Sequence, residues 1–301
     1  MSKPRANRAV VDGWVILDKP VGITSTHAVS RLKRLFNARK AGHAGTLDPL
    51  ASGLLPIAFG EATKTVPFVQ DGAKAYRFTV RWGVETDSDD SDGTVTATSP
   101  LRPAPDQIAQ ATPHFVGAIL QRPPAFSAIK VAGERAYDLA RDGEIVELAP
   151  RVVTIDTLDL VAAEDDHATF QAQCGKGTYV RAIARDLGRM LGCFGHVRAL
   201  RRTRVGAFSE ADAVTLADLG ETSESAAAAL LPVEAGLSSL PCVVVDRTAA
   251  ARLRRGQSIL LRGKDAPMEG ETAYAVCEGA PVAFGAVHAG ALTPSRVFNL
   301  G

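Results

Sequence analysis

The chain reads as an α+β protein, in which strands and helices do not follow a regular β-α-β alternation. Two observations carry this. Tyr76, Phe78, Val80 and Trp82 alternate with Arg77, Thr79 and Arg81, the period of a strand with one buried face. Val180, Ile183, Ala184, Leu187, Met190 and Leu191 recur at helical spacing in a segment that opens near Thr178.

The elements follow in chain order. Residues 1–10 are basic and are expected to be mobile. Trp14 to Leu17 form a short strand ending at the turn-like Asp18-Lys19-Pro20. Ser25 or Thr26 caps a helix whose apolar positions are Val29, Leu32, Leu35 and Phe36. Residues 41–64, AGHAGTLDPLASGLLPIAFGEATK, read as a glycine-rich loop. After the 76–82 strand comes an acidic run, Asp87 to Asp92, expected to be a solvated turn. Residues 168–173 form a strand that leads through Gly175-Lys176-Gly177 into the helix. There Arg181, Arg185 and Arg189 share a face of their own. Composition shifts at 221–240, which places a boundary near 240 and divides the chain into 1–240 and 241–301. The second part shows a strand at 243–245, a helix at about 248–255 stopped by Gly256, and strands at 272–276 and 282–287.

Composition narrows the classes. Of 301 residues, 46% are hydrophobic and 22% charged, ordinary for a soluble globular protein, and the net charge is +1. Any grip on nucleic acid must therefore come from local clusters. Cys174, Cys193, Cys242 and Cys277 form no C-x-x-C pair, which argues against zinc and disulfides and suits a reducing cytosol. There is no signal-peptide apolar region, and no run approaches the roughly 20 apolar residues of a membrane span. The expectation is a cytoplasmic protein with no membrane contact.

Several familiar motifs fail on inspection. A phosphate loop around Gly175-Lys176 needs glycine where Phe170 stands and a hydroxyl where Gly177 stands. A calcium loop aligned on Gly93 has Ser88 and Ser99 at its first and last ligand positions. Neither a G-x-S-x-G elbow nor an H-E-x-x-H pair occurs, and the six histidines show no metal-ligand spacing.

Asp48 stands apart. A loop aspartate is often only a turn former. Here Pro49 restrains its backbone, and Gly42, Gly45 and Gly53 allow close approach of a bulky ligand. Basic residues also cluster: Arg31, Lys33, Arg34, Arg39 and Lys40 just before the loop, Arg198, Arg201, Arg202 and Arg204 after the arginine-striped helix, and Arg252, Arg254 and Arg255 in the C-terminal segment. Three such clusters in a near-neutral chain fit contact with a phosphate backbone.

The run from Gly42 to Pro56, followed by Gly60-Glu61-Ala62-Thr63-Lys64, resembles the signature of the TruB family of tRNA pseudouridine synthases. The resemblance extends to Asp18-Lys19-Pro20 with Gly22 and Ser25, Lys74 to Tyr76, Gly83 to Gly93, and Gln121 through Lys130. It continues through Gly175 to Arg181, Arg185 to Gly188, Gly195 to Val197 and Leu200 to Arg202, covering about residues 11–240. The tail beyond 240 resembles a small PUA-type RNA-binding domain.

The resemblance implies a catalytic domain with a mixed, largely antiparallel sheet and a β-rich second domain. It implies isomerisation of one uridine in the T-arm loop of tRNA, position 55, to pseudouridine, with no cofactor and no metal, by a monomer. Asp48 is then the catalytic carboxylate and Arg181 its cationic partner. The target base is flipped out. Tyr76 stacks on it, Tyr179 and Leu200 wall the pocket, and His43 fills the gap left in the RNA. Lys19, Pro20 and Lys64 support the loop or touch RNA. Read from the residues alone, Tyr76, Tyr179 and Leu200 are core residues and Arg181 a surface arginine. Two other readings stay open: a non-enzymatic tRNA-binding and folding protein, and a guide-RNA-dependent synthase of the dyskerin type.

Overall fold

The computed structural model describes residues 8–127, 129–131, 134–136, 148–261 and 266–300, with backbone alone at 130–131 and 134–135. Residues 1–7 of the basic N-terminus lie outside that description, as do Ala128 and the Lys130 side chain of the Gln121–Lys130 segment.

The larger sheet collects β1 (Gly13–Lys19), β2 (Ala41–His43), β3 (Ala51–Phe59) and β4 (Lys74–Trp82) from the first part of the chain. A hairpin of β5 (Val84–Thr86) and β6 (Val95–Thr98) stands apart from it. It then takes in β7 (Gly117–Gln121) and, past the small hairpin of β8 (Lys130–Val131) and β9 (Glu134–Arg135), β10 (Arg151–Ala163) and β11 (His167–Cys174). The last members are β12 (Gly195–Val205) and β13 (Phe208–Ser209). The order is β1-β3-β12-β4-β11-β10-β7, with β2 paired to β3 and β13 to β12. Every pairing is antiparallel except β3 with β12, where Ala51–Gly53 run parallel to Leu200–Arg202. The sheet is mixed and largely antiparallel.

The alternation in β4 has the expected cause. Phe78, Val80 and Trp82 point into the main core with Phe170, Ala172, Val197 and Leu187 of the Val180–Met190 helix. Arg77, Thr79 and Arg81 face outward, where the Thr79 and Thr169 hydroxyls meet across the strands at 3.0 Å. Met190 is the exception to the helical stripe, because the helix ends there and leaves it exposed.

Residues 41–64 are not one loop. Strands β2 and β3 flank a short turn, and the apolar run Leu54–Phe59 is a strand buried on both faces. Gly53 serves packing rather than a ligand: at φ +98°, a Cβ there would lie 2.2 Å from the Arg202 carbonyl oxygen on the crossing strand β12. The first helix, Ser25–Leu35, is capped by Thr24, whose hydroxyl accepts from the His27 amide at 3.0 Å. Ser25 could not cap because its side chain turns inward to the Asp48 loop.

Past Pro241 a five-stranded sheet forms from β14 (Cys242–Val244), β15 (Ile259–Leu260), β16 (Thr272–Cys277), β17 (Ala280–His288) and β18 (Ala291–Val297), ordered β14-β16-β17-β18-β15. The Arg247–Arg254 helix packs on it through Ala250 and Leu253, its first turn capped by Asp246. This sheet is sealed to the larger part. Phe284 meets Phe68 edge-on at 5.0 Å, and Lys64 Nζ donates to the Val297 carbonyl at 2.7 Å.

Candidate active site

The turn carrying Asp48 is held from three sides. Ser25 Oγ donates to the Leu47 carbonyl at 2.9 Å and accepts from the Leu47 amide at 2.8 Å, which fixes the residue just before Asp48. The Gly22 amide donates to the Pro49 carbonyl at 2.8 Å, and the Ala51 amide to the Asp48 carbonyl at 3.1 Å. From behind, the Arg202 guanidinium donates to the carbonyls of Leu54, Thr46 and Gly45 at 2.8, 3.2 and 3.1 Å. Backbone bonds of this number leave the aspartate side chain little freedom to wander.

That side chain is 36% exposed, while its partner Arg181 is 5% exposed, with Nη2 3.1 Å from Asp48 Oδ2. The other terminal nitrogen of Arg181 lies 3.2 Å from Asp90 Oδ2 and donates to the Ser88 carbonyl at 2.8 Å. Nη2 also donates to the Phe126 carbonyl at 2.8 Å. One buried guanidinium is thus shared between a buried carboxylate and a solvent-reachable one. Burial pushes the Asp90 carboxyl up, with its Ser88 hydrogen bond and Arg181 pulling it back.

The arginine face of the helix is therefore buried at Arg181 and Arg185, and only Arg189 stays exposed. Arg185 pairs with Asp89 at 2.9 Å, and Arg189 with Glu85 at 2.7 Å. The acidic run expected to be solvated supplies Asp89 and Asp90 to this ladder, both buried. The reason is complementary spacing: arginines at every fourth residue of a helix meet carboxylates presented along β5 and the loop that follows it. Two of these arginines also hold the 122–126 segment, Arg185 through the Arg122 carbonyl and Arg181 through that of Phe126.

Lys19 is fully buried, and its ammonium donates to the Pro20 and Ile23 carbonyls at 2.9 Å each. Burial lowers it to about 8, opposed by the charge of Asp48. Tyr76 sits opposite Arg202 in the β4–β12 register, at the edge of the core. Burial raises its phenol, against the charge and hydrogen bond of Arg202. Leu200 lies between Phe78 and Ala51 in register, 7% exposed. His43 ends β2 with its Nδ1 buried and unpaired, and burial, then Arg202, lowers its pKa. Tyr179 caps the Arg181 helix. Gln121 clamps its backbone, accepting from the amide at 2.8 Å and donating to the carbonyl at 3.1 Å, and Arg151 lies over its ring at 5.2 Å.

Lys64 is drawn elsewhere, to Glu61 at 2.6 Å and to the Val297 carbonyl. The second basic cluster also divides. Arg202 is buried under the loop, Arg201 pairs with Asp18 at 2.9 Å and Glu210 at 2.6 Å, and Arg198 and Arg204 face solvent. Asp90, Gln121 and the loop-holding role of Arg202 were not legible in the sequence. The nearest signal was the presence of an arginine stripe and an acidic run in one chain, opposite charges that could meet in space.

Among the described residues, no group of three or more His, Cys, Asp or Glu side chains could hold a metal ion, and no helix is long and apolar enough to cross a membrane. A carboxylate reached by solvent but braced by a buried cation suits nucleophilic or general-base work on a substrate that enters from outside.

Comparison with known proteins gives a consistent picture. Residues 33–180 match the TruB family pseudouridylate synthase (N terminal domain), and residues 181–238 the tRNA pseudouridylate synthase B C-terminal domain. The chain is 58% identical to tRNA pseudouridine synthase B of Rhodopseudomonas palustris, covering 99% of this chain and 84% of that protein. It is 59% identical to the protein of the same name in Bradyrhizobium diazoefficiens, covering 98% and 88%. Its fold is similar to a chain in the crystal structure of a Cbf5-Nop10-Gar1 complex, with a TM-score of 0.75 and 26% identity over 96% of this chain and 86% of that one.

Proposed function

This chain belongs to the TruB family of pseudouridylate synthases, and from that premise we propose how its residues divide the work of turning uridine into pseudouridine in tRNA. The enzyme isomerises the uridine at position 55 in the T-arm loop. The N1–C1′ bond breaks, the base turns, and a C5–C1′ bond forms, while C5 loses a proton and N1 gains one. Substrate and product have the same atoms, so no redox partner is consumed.

The observation that carries the assignment is the Asp48–Arg181 pair. In a pocket closed by RNA, a carboxylate without a counter-charge would be costly to desolvate. The buried guanidinium beside it supplies a fixed counter-charge and aims it outward. Asp48 is the catalytic carboxylate that promotes cleavage at C1′. Tyr76 and Tyr179 hold the flipped base, with Leu200 beneath, and the Tyr76 hydroxyl is the group nearest to hand for the C5 proton. His43 occupies the space the base vacates. Lys19 adds a positive charge behind Asp48, and Lys64 braces the seam on which the RNA-binding tail rests.

The division of labour follows the chain. Residues 1–240 carry the chemistry, and residues 241–301 form a PUA-like domain whose exposed Arg252, Arg254 and Arg255 grip a distant part of the tRNA. The enzyme works as a cytoplasmic monomer, without metal or guide RNA. Relatives more than half identical over nearly the whole chain bear the name tRNA pseudouridine synthase B, which supports tRNA as the substrate.

The test is direct. Purified protein, an unmodified tRNA transcript and buffer containing a chelator should yield one pseudouridine, mapped to the T-arm loop. Binding without conversion would return the protein to the class of RNA-folding factors. Conversion only on addition of a guide RNA and further subunits would support the dyskerin-type reading.

A further inference from the structure

Arg202 is 2% exposed, yet among the described residues no carboxylate lies within ion-pair distance of it. Its neighbour in sequence, Arg201, shows the ordinary solution, with Asp18 and Glu210 on one guanidinium. A buried cation without a counter-ion is expensive, and folds retain one only where dipoles or function offset it. Here the dipoles are identifiable. Nε points to the Leu54 carbonyl at 2.8 Å, Nη1 to Thr46 at 3.2 Å and Nη2 to Gly45 at 3.1 Å.

Those carbonyls belong to the two stems of one turn. Gly45 and Thr46 lead into Asp48, and Leu54 lies on the strand that leaves it. A planar fork with donors in fixed directions can bridge three such acceptors, while an ammonium cannot match the same geometry. Strand β12 brings Arg202 there because its backbone runs beside Gly53, the one residue at that crossing with no Cβ to obstruct it. On the other side of the strand, Arg202 is in register with Tyr76.

We propose that Arg202 is a positioning residue for the isomerisation: it locks the two stems of the Asp48 turn together and keeps an uncompensated positive charge against Tyr76. The first effect sets where the carboxylate stands relative to C1′. The second favours the phenolate form of Tyr76, the form able to accept a proton from C5. The charge is felt by the surrounding groups, since Arg202 opposes the effect of burial on Tyr76 and adds to it on His43 and Lys19. A carboxylate partner would cancel that field, so its absence has a use. This inference rests on Asp48 and Tyr76 acting as proposed above.

The experiment compares Arg202→Lys and Arg202→Gln with wild type and Asp48→Asn, at a temperature where circular dichroism shows each protein folded. Three quantities are read: tRNA affinity, the single-turnover rate, and the ultraviolet titration of Tyr76 obtained as the difference from Tyr76→Phe. For Arg202→Lys we expect affinity within about twofold and a rate at least about tenfold lower, since a misplacement of about 1 Å can cost a hundredfold. For Arg202→Gln the rate should fall further and the Tyr76 midpoint should move upward. A wild-type rate in Arg202→Lys, a rate loss matched by an equal loss of affinity, or an unmoved Tyr76 midpoint in Arg202→Gln each overturns the proposal. So does failure of both variants to fold, which would make Arg202 a structural residue only. If Asp48→Asn turned over normally, the catalytic reading would fall instead, and the Tyr76 titration would still decide whether Arg202 reaches that phenol.

Discussion

Arg181 and Asp48 meet at 3.1 Å, and the two partners live in different surroundings: the guanidinium is buried, the carboxylate is reached by solvent. Arg181 is simultaneously held by Asp90 and by the carbonyls of Ser88 and Phe126. The cation is therefore fixed before any substrate arrives, and Asp48 can engage a ligand without dragging its partner along. Such preorganisation is what makes a charge pair useful to catalysis rather than to stability.

Replacing Asp48 with Asn keeps the shape of the turn and removes the charge. Turnover should fall by at least about a thousandfold, while tRNA affinity stays within about threefold. Tritium release from tRNA labelled at C5 and a filter-binding isotherm measure the two quantities. Equal turnover by mutant and wild type would end the assignment of Asp48.

Arg181→Met leaves Asp90 buried without its cation. We expect a loss of about 3–5 kcal/mol in urea unfolding, together with loss of activity. Arg181→Lys should recover part of the stability but little of the rate, because an ammonium cannot serve Asp48, Asp90 and two carbonyls together. Full activity in the lysine variant would show that only charge is required.

Lys19 titrates near 8 in the folded chain against 10.5 for the free side chain. Between those values the unfolded chain holds more protons, so the contribution of Lys19 to stability rises with pH over that window and is flat below it. Lys19→Met removes the dependence. Melting temperatures of wild type relative to this variant should be constant below about pH 7 and should climb between pH 8 and 10. A flat difference across that range would show that the amine is not desolvated.

Arg254 and Arg255 are exposed at the end of the tail helix and, among the described residues, make no ion pair. Changing both to Ala should reduce the slope of log affinity against log salt by about 0.9 for each duplex phosphate that is no longer neutralised. The effect should appear on whole tRNA and vanish on an isolated T-arm hairpin. An identical slope on whole tRNA would place the grip of the tail elsewhere.

The alternation of Tyr76–Trp82, the stripe from Val180 to Leu187, the tail helix before Gly256 and the singularity of Asp48 were all legible in the linear chain, because each is a local pattern. The misreadings share a cause. The apolar run Leu54–Phe59 lacks a period since both of its faces are buried, so its strand was hidden inside a supposed loop. The acidic run looked solvated because its partners lie about 90 residues further on. Arg202 looked like one more phosphate contact beside Arg198 and Arg201. Adjacent residues on a strand point to opposite faces, and only the crossing of β12 behind the Asp48 turn decides which arginine is buried. By itself, then, the sequence determined the periodicities that build the sheet and helices, and the motif that marks the Asp48 turn. Tertiary structure alone decided which charges leave water and what they hold, because pairing and desolvation depend on distance in space rather than on spacing along the chain.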